Sequence, residues 1–421
     1  MKRASVSLAV AVCCVSLGCL STPAQTPTTP TPTTTGYFDE AGNFIPPSRE
    51  HAPNTDDCPY ETAPREPVST SERATTTPAP LPVTYDGPCG VSAAAGYTVP
   101  EDVVASAWLV ADLDSGEVVA MKDPHGRYRP ASIIKVLIAL VAIEELDLDA
   151  KVDVSAESAG QEGSAAGIGA GGDYTVRDLL YGLILNSGND CAHALAQALG
   201  GDTAALRKVN DLAAKLGMTD TRAASYSGLD SPGMSTSAWD MGLAYREAFS
   251  NPVFAEIADT ESYDFPGFDD LPGFQLWNDN LLYLNDPDGI GGKTGYTDDA
   301  NHTFVGAVNH NGRRLVAVVL DTTAWDHRAW EQAQMLLHAA YGVRGGVDKL
   351  EPLSHATTTA VPTATASQTP SSTPTPTPAA PSVPVGPGRL GLPILIVGGV
   401  LLLALIALWL SLRIGAKRKR R

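Results

Sequence analysis

Apolar positions in this chain fall into runs of three lengths, and each length predicts a different element. Short runs at residues 107–112 (Ala-Trp-Leu-Val-Ala-Asp) and 118–121 (Val-Val-Ala-Met) flank Asp114-Ser115-Gly116, a turn sequence, and together predict a β-hairpin. Residues 302–309 and 314–320 flank His310-Asn311-Gly312, in which Asn-Gly is a strong hairpin signal. Between the hairpins the runs reach helical length at 130–146, 176–199, 203–216 and 236–249, and residues 324–341 add a closing helix. Hairpins at both ends of a block with helices between them predict an α+β fold, in which distant parts of the chain assemble one antiparallel sheet beside a helical lobe.

The longest runs lie at the termini. Residues 4–20 are apolar, follow Met1-Lys2-Arg3 and end at Thr22-Pro23-Ala24, the pattern of a signal peptide cleaved after Ala24. Residues 392–412 contain no charge and lead into Arg413 and the cluster Lys417-Arg418-Lys419-Arg420-Arg421. That length fits the hydrocarbon core of a bilayer, and the basic flank keeps the C-terminus cytoplasmic. The expected organisation is a signal peptide (1–24), a Thr/Pro-rich extracytoplasmic segment (25–88), a catalytic block (89–345), a Pro/Thr-rich linker (346–389), a transmembrane helix (390–412) and a basic tail (413–421). The block would then be exported and held at the cell membrane by a single pass.

Composition sharpens this division. Of 32 prolines, 7 lie between Glu101 and Glu351, so the folded block is bounded by proline-rich flanks. In polyproline II, residues 354–388 would hold a domain up to ~110 Å from the bilayer. The net charge of -18 argues against a nucleic-acid binder, which would need a basic face to meet phosphates. The 8 terminal cations mask a more acidic exported part: the remaining 21 cations against 47 acids give -26. In an oxidising compartment Cys58 and Cys89, which flank a Pro-rich stretch, are a candidate disulfide, leaving Cys191 as a buried, inert thiol. No metal or cofactor is expected. The histidines lack ligand spacing. Asp112-Leu113-Asp114-Ser115-Gly116 has its Gly one position early for a calcium loop, and Gly167-Ile168-Gly169-Ala170-Gly171-Gly172 follows no strand.

Candidate chemistry begins in residues 130–143. Apolar residues occupy every side of this helix, so it is buried, yet Lys135 is its only charge. Burying a lone ammonium costs several kcal/mol unless it is paired or neutral. Ser132 lies three residues earlier on the same face, in the first turn, where its N–H has no intrahelical partner. An easily deprotonated amine beside a hydroxyl activates serine without histidine. For this segment alone, a snorkelling lysine beside a capping serine is an equal alternative.

Two further motifs tip the balance. Ser187-Gly188-Asn189 follows an apolar helix, and Lys293-Thr294-Gly295 precedes the second hairpin. The ordered set S-x-x-K, S-x-N and K-T-G resembles the penicillin-recognising serine enzymes. Arg129-Pro130-Ala131-Ser132, residues 174–180, Asn186-Ser187-Gly188-Asn189-Asp190, Leu216-Gly217-Met218-Thr219, Ser227-Gly228-Leu229-Asp230 and Lys293-Thr294-Gly295-Tyr296-Thr297 resemble the low-molecular-mass penicillin-binding proteins that act as D-alanyl-D-alanine carboxypeptidases. Two departures stand out: the chain passes from the block directly into the linker, without the additional β-rich domain that the family's larger members carry, and Ile290-Gly291-Gly292 is an unusually Gly-rich approach to K-T-G.

The resemblance implies a three-layer α/β/α fold, with a five-stranded antiparallel sheet flanked by helices and an all-helical lobe, shared with serine β-lactamases. It also implies roles. Ser132 attacks the penultimate D-Ala carbonyl and Lys135 takes its proton; Ser187 relays a proton to the departing amine, and Asn189 holds the substrate amide. The N–H groups of Ser132 and Tyr296 form the oxyanion hole, and Lys293, Thr294 and the strand through Gly295 and Tyr296 bind the terminal carboxylate and peptide. The implied partners are stem peptides of peptidoglycan ending in D-Ala-D-Ala, and β-lactams as acylating inhibitors. The alternatives are a DD-endopeptidase of the same family and a serine β-lactamase. The latter needs a deacylating Glu in E-x-x-x-N, and Glu247 to Asn251 fits that string but lies 58 residues beyond Asn189.

Overall fold

The structure is a computed structural model that describes residues 62–67 and 78–351, together with a two-strand backbone pair at Tyr37–Phe38 and Phe44–Ile45. The candidate signal peptide, Cys58, most of the 346–389 linker, the candidate transmembrane helix and the basic tail lie outside the described residues. Among the described residues, no helix is long and apolar enough to cross a membrane.

The first hairpin comprises β1 (Ala107–Asp112) and β2 (Glu117–Lys122). Its turn is closed by Asp112 Oδ1, which accepts from the N–H groups of Asp114 and Ser115, so this carboxylate serves a hairpin. Helices α1 (Lys135–Glu145), α2 (Val176–Leu185), α3 (Asn189–Ala198), α4 (Asp202–Lys215) and α5 (Ala238–Ser250) follow. The chain then forms β3 (Gly289–Thr297), β4 (Asn301–His310), β5 (Arg313–Thr322) and the closing helix α6 (Ala329–Ala340). Five long strands pair antiparallel, as expected; their order is β3-β4-β5-β1-β2, and the two-residue strands Asp348–Lys349 and Ser92–Ala93 extend the β2 side. Register across the central pair sets Val318 opposite Leu109 and Ala317 opposite Val110, joining the two ends of the block.

Both faces of this sheet are covered, which explains why its strands read as continuous apolar runs. Leu109 and Ala111 face the core shared with α1, α2, α3 and α5, whereas Trp108 and Val110 face a second core under α6. The result is three layers. Burying a side chain such as Leu109 contributes about 2 kcal/mol. Helix α1 lies deepest, buried continuously from Lys135 to Ala142 and packed on α2, α3, α4 and α5.

The structure departs from the periodicity in two helices. Residues 176–199 are not one helix but two, because Asn186 leaves helical geometry and Ser187 takes φ 58° before α3 begins. The closing helix starts at Ala329 instead of 324, where Glu331 accepts from the Arg328 N–H in a capping arrangement.

The described parts of the Thr/Pro-rich segment lie on the domain as a strap. Arg127 donates to the carbonyls of Thr62 (2.8 Å), Leu81 and Pro82 (2.7 Å), Arg129 to Arg65 O (2.8 Å) and Arg222 to Ala79 O (2.9 Å). Tyr85 stacks on His125, which stacks on Trp239. A proline-rich chain has carbonyls but few N–H groups, and guanidinium forks supply the missing donors. Cys89, at the end of the strap, is buried and disulfide-bonded; its candidate partner Cys58 lies outside the described residues.

Candidate active site

The Ser132 turn is a short 3-10 segment, Ala131–Ile134, leading into α1. It is held from two sides. Thr303 Oγ1 on β4 donates to Pro130 O (2.7 Å), and the Tyr245 hydroxyl on α5 donates to Ile133 O (2.9 Å). Between these anchors Ala131 sits at φ 50°, a conformation that costs a non-glycine residue about 1 kcal/mol or more and persists only where surroundings enforce it. Gly228, at φ 87°, packs flat on the turn: a Cβ there would lie 2.0 Å from Ala131 O.

Lys135 is fully buried, with Nζ 2.7 Å from Ser132 Oγ and donating to Ser227 O (2.5 Å). Burial drives its proton affinity well below that of a free lysine, and the Lys293 cation pushes it further; Asp279 and Asp190 oppose them. In its neutral form, which burial favours, this amine can accept the Ser132 proton along the existing contact while remaining bonded to Ser227 O.

Strand β3 is the edge of the sheet, and its backbone passes beside Ser132. A Cβ on Gly295 would come within 3.1 Å of Ser132 N and 2.3 Å of Thr303 Oγ1, so only glycine permits this approach. The Ser132 N–H, at the start of a helical turn, has no intrahelical partner, and the next β3 residue is Tyr296, whose ring is exposed. Lys293 is almost fully buried; burial lowers its proton affinity and Asp279 opposes that effect. Its amine donates to Thr294 O (3.1 Å) and Thr294 Oγ1 (3.3 Å).

Ser187 and Asn189 sit at the break between α2 and α3, both of which pack on α1. Asn189 Nδ2 donates to Glu162 O (2.7 Å), whereas its Oδ1 is buried without a partner among the described residues. Leaving an acceptor so costs about 1–3 kcal/mol, and a substrate N–H would relieve it. Asp190 has another task. Its carboxylate accepts from the N–H groups of Ala166, Gly167 and Ile168 and pins the glycine-rich loop to α3. Cys191 is a free, buried thiol whose pKa burial pushes well above the ordinary range.

Two carboxylates of the site received no role from the sequence, although Asp230 closes the stretch Ser227-Gly228-Leu229-Asp230. Asp230 accepts from Thr297 Oγ1 (2.7 Å) at the end of β3, and burial pushes its pKa up to about 6. Asp279 accepts from Thr294 Oγ1 (3.0 Å). Neither stands at a spacing that advertises chemistry. Glu247, by contrast, is exposed on α5 and lines a hollow with Leu113, Asp114 and Leu216.

The profile of a family described as D-alanyl-D-alanine carboxypeptidase matches residues 93–324, which contain all three motifs. The chain is 45% identical over 245 residues to D-alanyl-D-alanine carboxypeptidase DacB2 of Mycobacterium tuberculosis, covering 56% of this chain and 83% of that protein. It is 29% identical to DacF of Bacillus subtilis, over 55% of this chain and 61% of DacF. Among solved structures, a D-alanyl-D-alanine carboxypeptidase from Mycobacterium tuberculosis superposes with a TM-score of 0.59 at 41% identity, over 61% of this chain and 99% of that one. The Streptomyces K15 DD-transpeptidase superposes with a TM-score of 0.55 at 25% identity, over 58% and 100% respectively.

Proposed function

Because the chain belongs to the D-alanyl-D-alanine carboxypeptidase family, a family of serine peptidases, we propose that it removes the terminal D-Ala from peptidoglycan stem peptides through an acyl-enzyme on Ser132. The exported body would act while anchored in the membrane by residues 390–412, a reading that rests on the charge-free run and basic tail. One observation carries the chemistry: a fully buried Lys135 amine 2.7 Å from Ser132 Oγ, with a second buried lysine nearby.

In this mechanism the stem peptide lies along the free edge of β3 as an added strand. Lys293 meets its terminal carboxylate. The penultimate carbonyl sits between the N–H groups of Ser132 and Tyr296, where negative charge develops on its oxygen. Ser132 Oγ bonds to that carbon as its proton passes to Lys135. The C–N bond then breaks as Ser187 gives its hydroxyl proton to the leaving amine and takes up the proton held by Lys135, and D-Ala departs. Water attacks the ester and restores Ser132. A β-lactam carries an equivalent carbonyl and carboxylate and would acylate the same hydroxyl. The exposed position of Glu247 disfavours the β-lactamase alternative, because the residue stands outside the site.

Incubation of the full chain with a D-Ala-D-Ala peptide should release D-Ala, and Ser132→Ala should reduce release by at least about a thousandfold. A fluorescent penicillin should label the wild type in the membrane fraction and leave the variant unlabelled. Release that survives the substitution would sink the assignment, and rapid turnover of the drug would favour a β-lactamase. Cleavage of a cross-linked dimer in preference to the free peptide would indicate the endopeptidase of the same family.

A further inference from the structure

The site contains two buried lysines, and the proposed reaction asks opposite things of them. Lys135 is a base only as a neutral amine, whereas Lys293 holds a carboxylate only as an ammonium. Burial disfavours the charged form of both, so burial alone cannot divide the roles. Their neighbours differ. The Lys293 amine donates to Thr294 Oγ1 (3.3 Å), and the Thr294 hydroxyl donates to Asp279 Oδ2 (3.0 Å). A hydroxyl has one hydrogen, so this chain runs in one direction, from amine through Thr294 to a carboxylate. The other oxygen, Asp279 Oδ1, is buried without a partner among the described residues.

Backbone contacts fix Asp279 in place. Its N–H donates to Leu185 O (2.8 Å), at the end of α2 and two residues before Ser187. The next residue, Asn280, caps the short helix Leu281–Asn285 through its side chain. The carboxylate is therefore held between the α2 terminus and β3, on the elements that carry Ser187 and Lys293.

We propose that Asp279 is a positioning residue for this reaction: one hydroxyl away from Lys293, its carboxylate supplies the counter-charge that keeps the Lys293 amine an ammonium for the substrate's terminal carboxylate. The inference rests on the serine-peptidase reading above. It also changes the part played by Thr294. In the free enzyme the single hydroxyl hydrogen is committed to Asp279, so Lys293 is the first group to meet the incoming carboxylate. The charged and titratable groups acting on Lys135 are Lys293, Asp279, Asp190 and the Cys191 thiol; on Lys293 the opposing group is Asp279. A negative charge at Asp279 raises the proton affinity of both lysines, and removing it lowers both.

Asp279→Asn is isosteric and retains an oxygen to accept from Thr294, while the charge is lost. D-Ala release measured across pH gives a bell in kcat/KM, rising as Lys135 loses its proton and falling as Lys293 loses its own. Both limbs of the variant should move to lower pH by about one unit. On the alkaline side its kcat/KM should then fall about tenfold below the wild type, mostly through KM. A role confined to packing would lower the whole bell without moving it, and limbs that coincide with the wild type overturn the proposal. The rate of penicillin acylation over the same pH range supplies a second profile, which reads Ser132 and both lysines without D-Ala release. If the wild type acylates but releases no D-Ala, the substrate assignment fails, and the limb shift in acylation still decides the role of Asp279.

Discussion

Ser132 and Lys135 could be paired from the sequence because their partnership is local: three residues on a helix always share a face. Asp230 and Asp279 could not, since each acquires its role from strand β3, 67 residues on for Asp230 and 15 for Asp279, with no fixed helical or strand spacing to mark the pair. Asp230 yields a prediction of its own. Unfolded, it ionises near the ordinary 3.8; folded, burial pushes its pKa up to about 6. Between those values the folded protein holds a proton that the unfolded chain has lost, so stability falls as pH rises through that window. Asp230→Asn cannot ionise and escapes this loss, while its amide oxygen can still accept from Thr297. Denaturant unfolding at about pH 4 and about pH 7 should show the variant gaining ~2–3 kcal/mol on the wild type between the two. An equal difference at both pH values would mean that Asp230 ionises freely in the folded state.

Among the elements, the hairpins and the Ser132 helix were legible because their signals are short-range. The break between α2 and α3 was not. Asn186, Ser187 and Gly188 interrupt an apolar pattern that resumes at Cys191, and the break is held by a local contact, Gly188 N–H to Gly182 O (3.0 Å), and a tertiary one, Asn189 N–H to Ser164 O (2.7 Å). The strap was legible only as composition. Its proline content describes a spacer, yet Arg127, Arg129 and Arg222 capture its carbonyls. Arg127 also bonds the carboxylate of Asp220 (3.2 Å) with both partners buried. Arg127→Ala should therefore cost ~3–5 kcal/mol in denaturant unfolding, because it removes the guanidinium from a buried carboxylate and leaves His125 as its remaining ion-pair partner among the described residues. Residues 62–67 and 78–82 should become sites of rapid proteolysis in Arg127→Lys, which keeps the charge but loses the fork. Unchanged cleavage would show that the strap is held by its other contacts.

At the scale of the whole molecule, charge and function pull in opposite directions. An acidic protein proposed to bind an anionic peptide terminus must overcome its own field, and it concentrates positive charge at the buried Lys293. Screening should then help. Raising ionic strength from about 10 mM to about 150 mM shortens the Debye length from about 30 Å to about 8 Å, and kcat/KM for an anionic stem peptide should rise. A fall would place the local field of Lys293 ahead of the field of the body.

The sequence by itself determined what depends on neighbours along the chain: two hairpins, a buried helix carrying Ser132 and Lys135, and three ordered motifs within one acidic block. Tertiary structure decided how these pieces serve one another. Only the assembled sheet brings Gly295 against Ser132 N and Thr303 against Pro130 O, because β3 and β4 reach the Ser132 turn across more than a hundred residues of chain. The same is true of charge. A lysine's identity is written in the chain, but its protonation is set by burial and by the neighbours folding assembles around it, and these differ for Lys135 and Lys293.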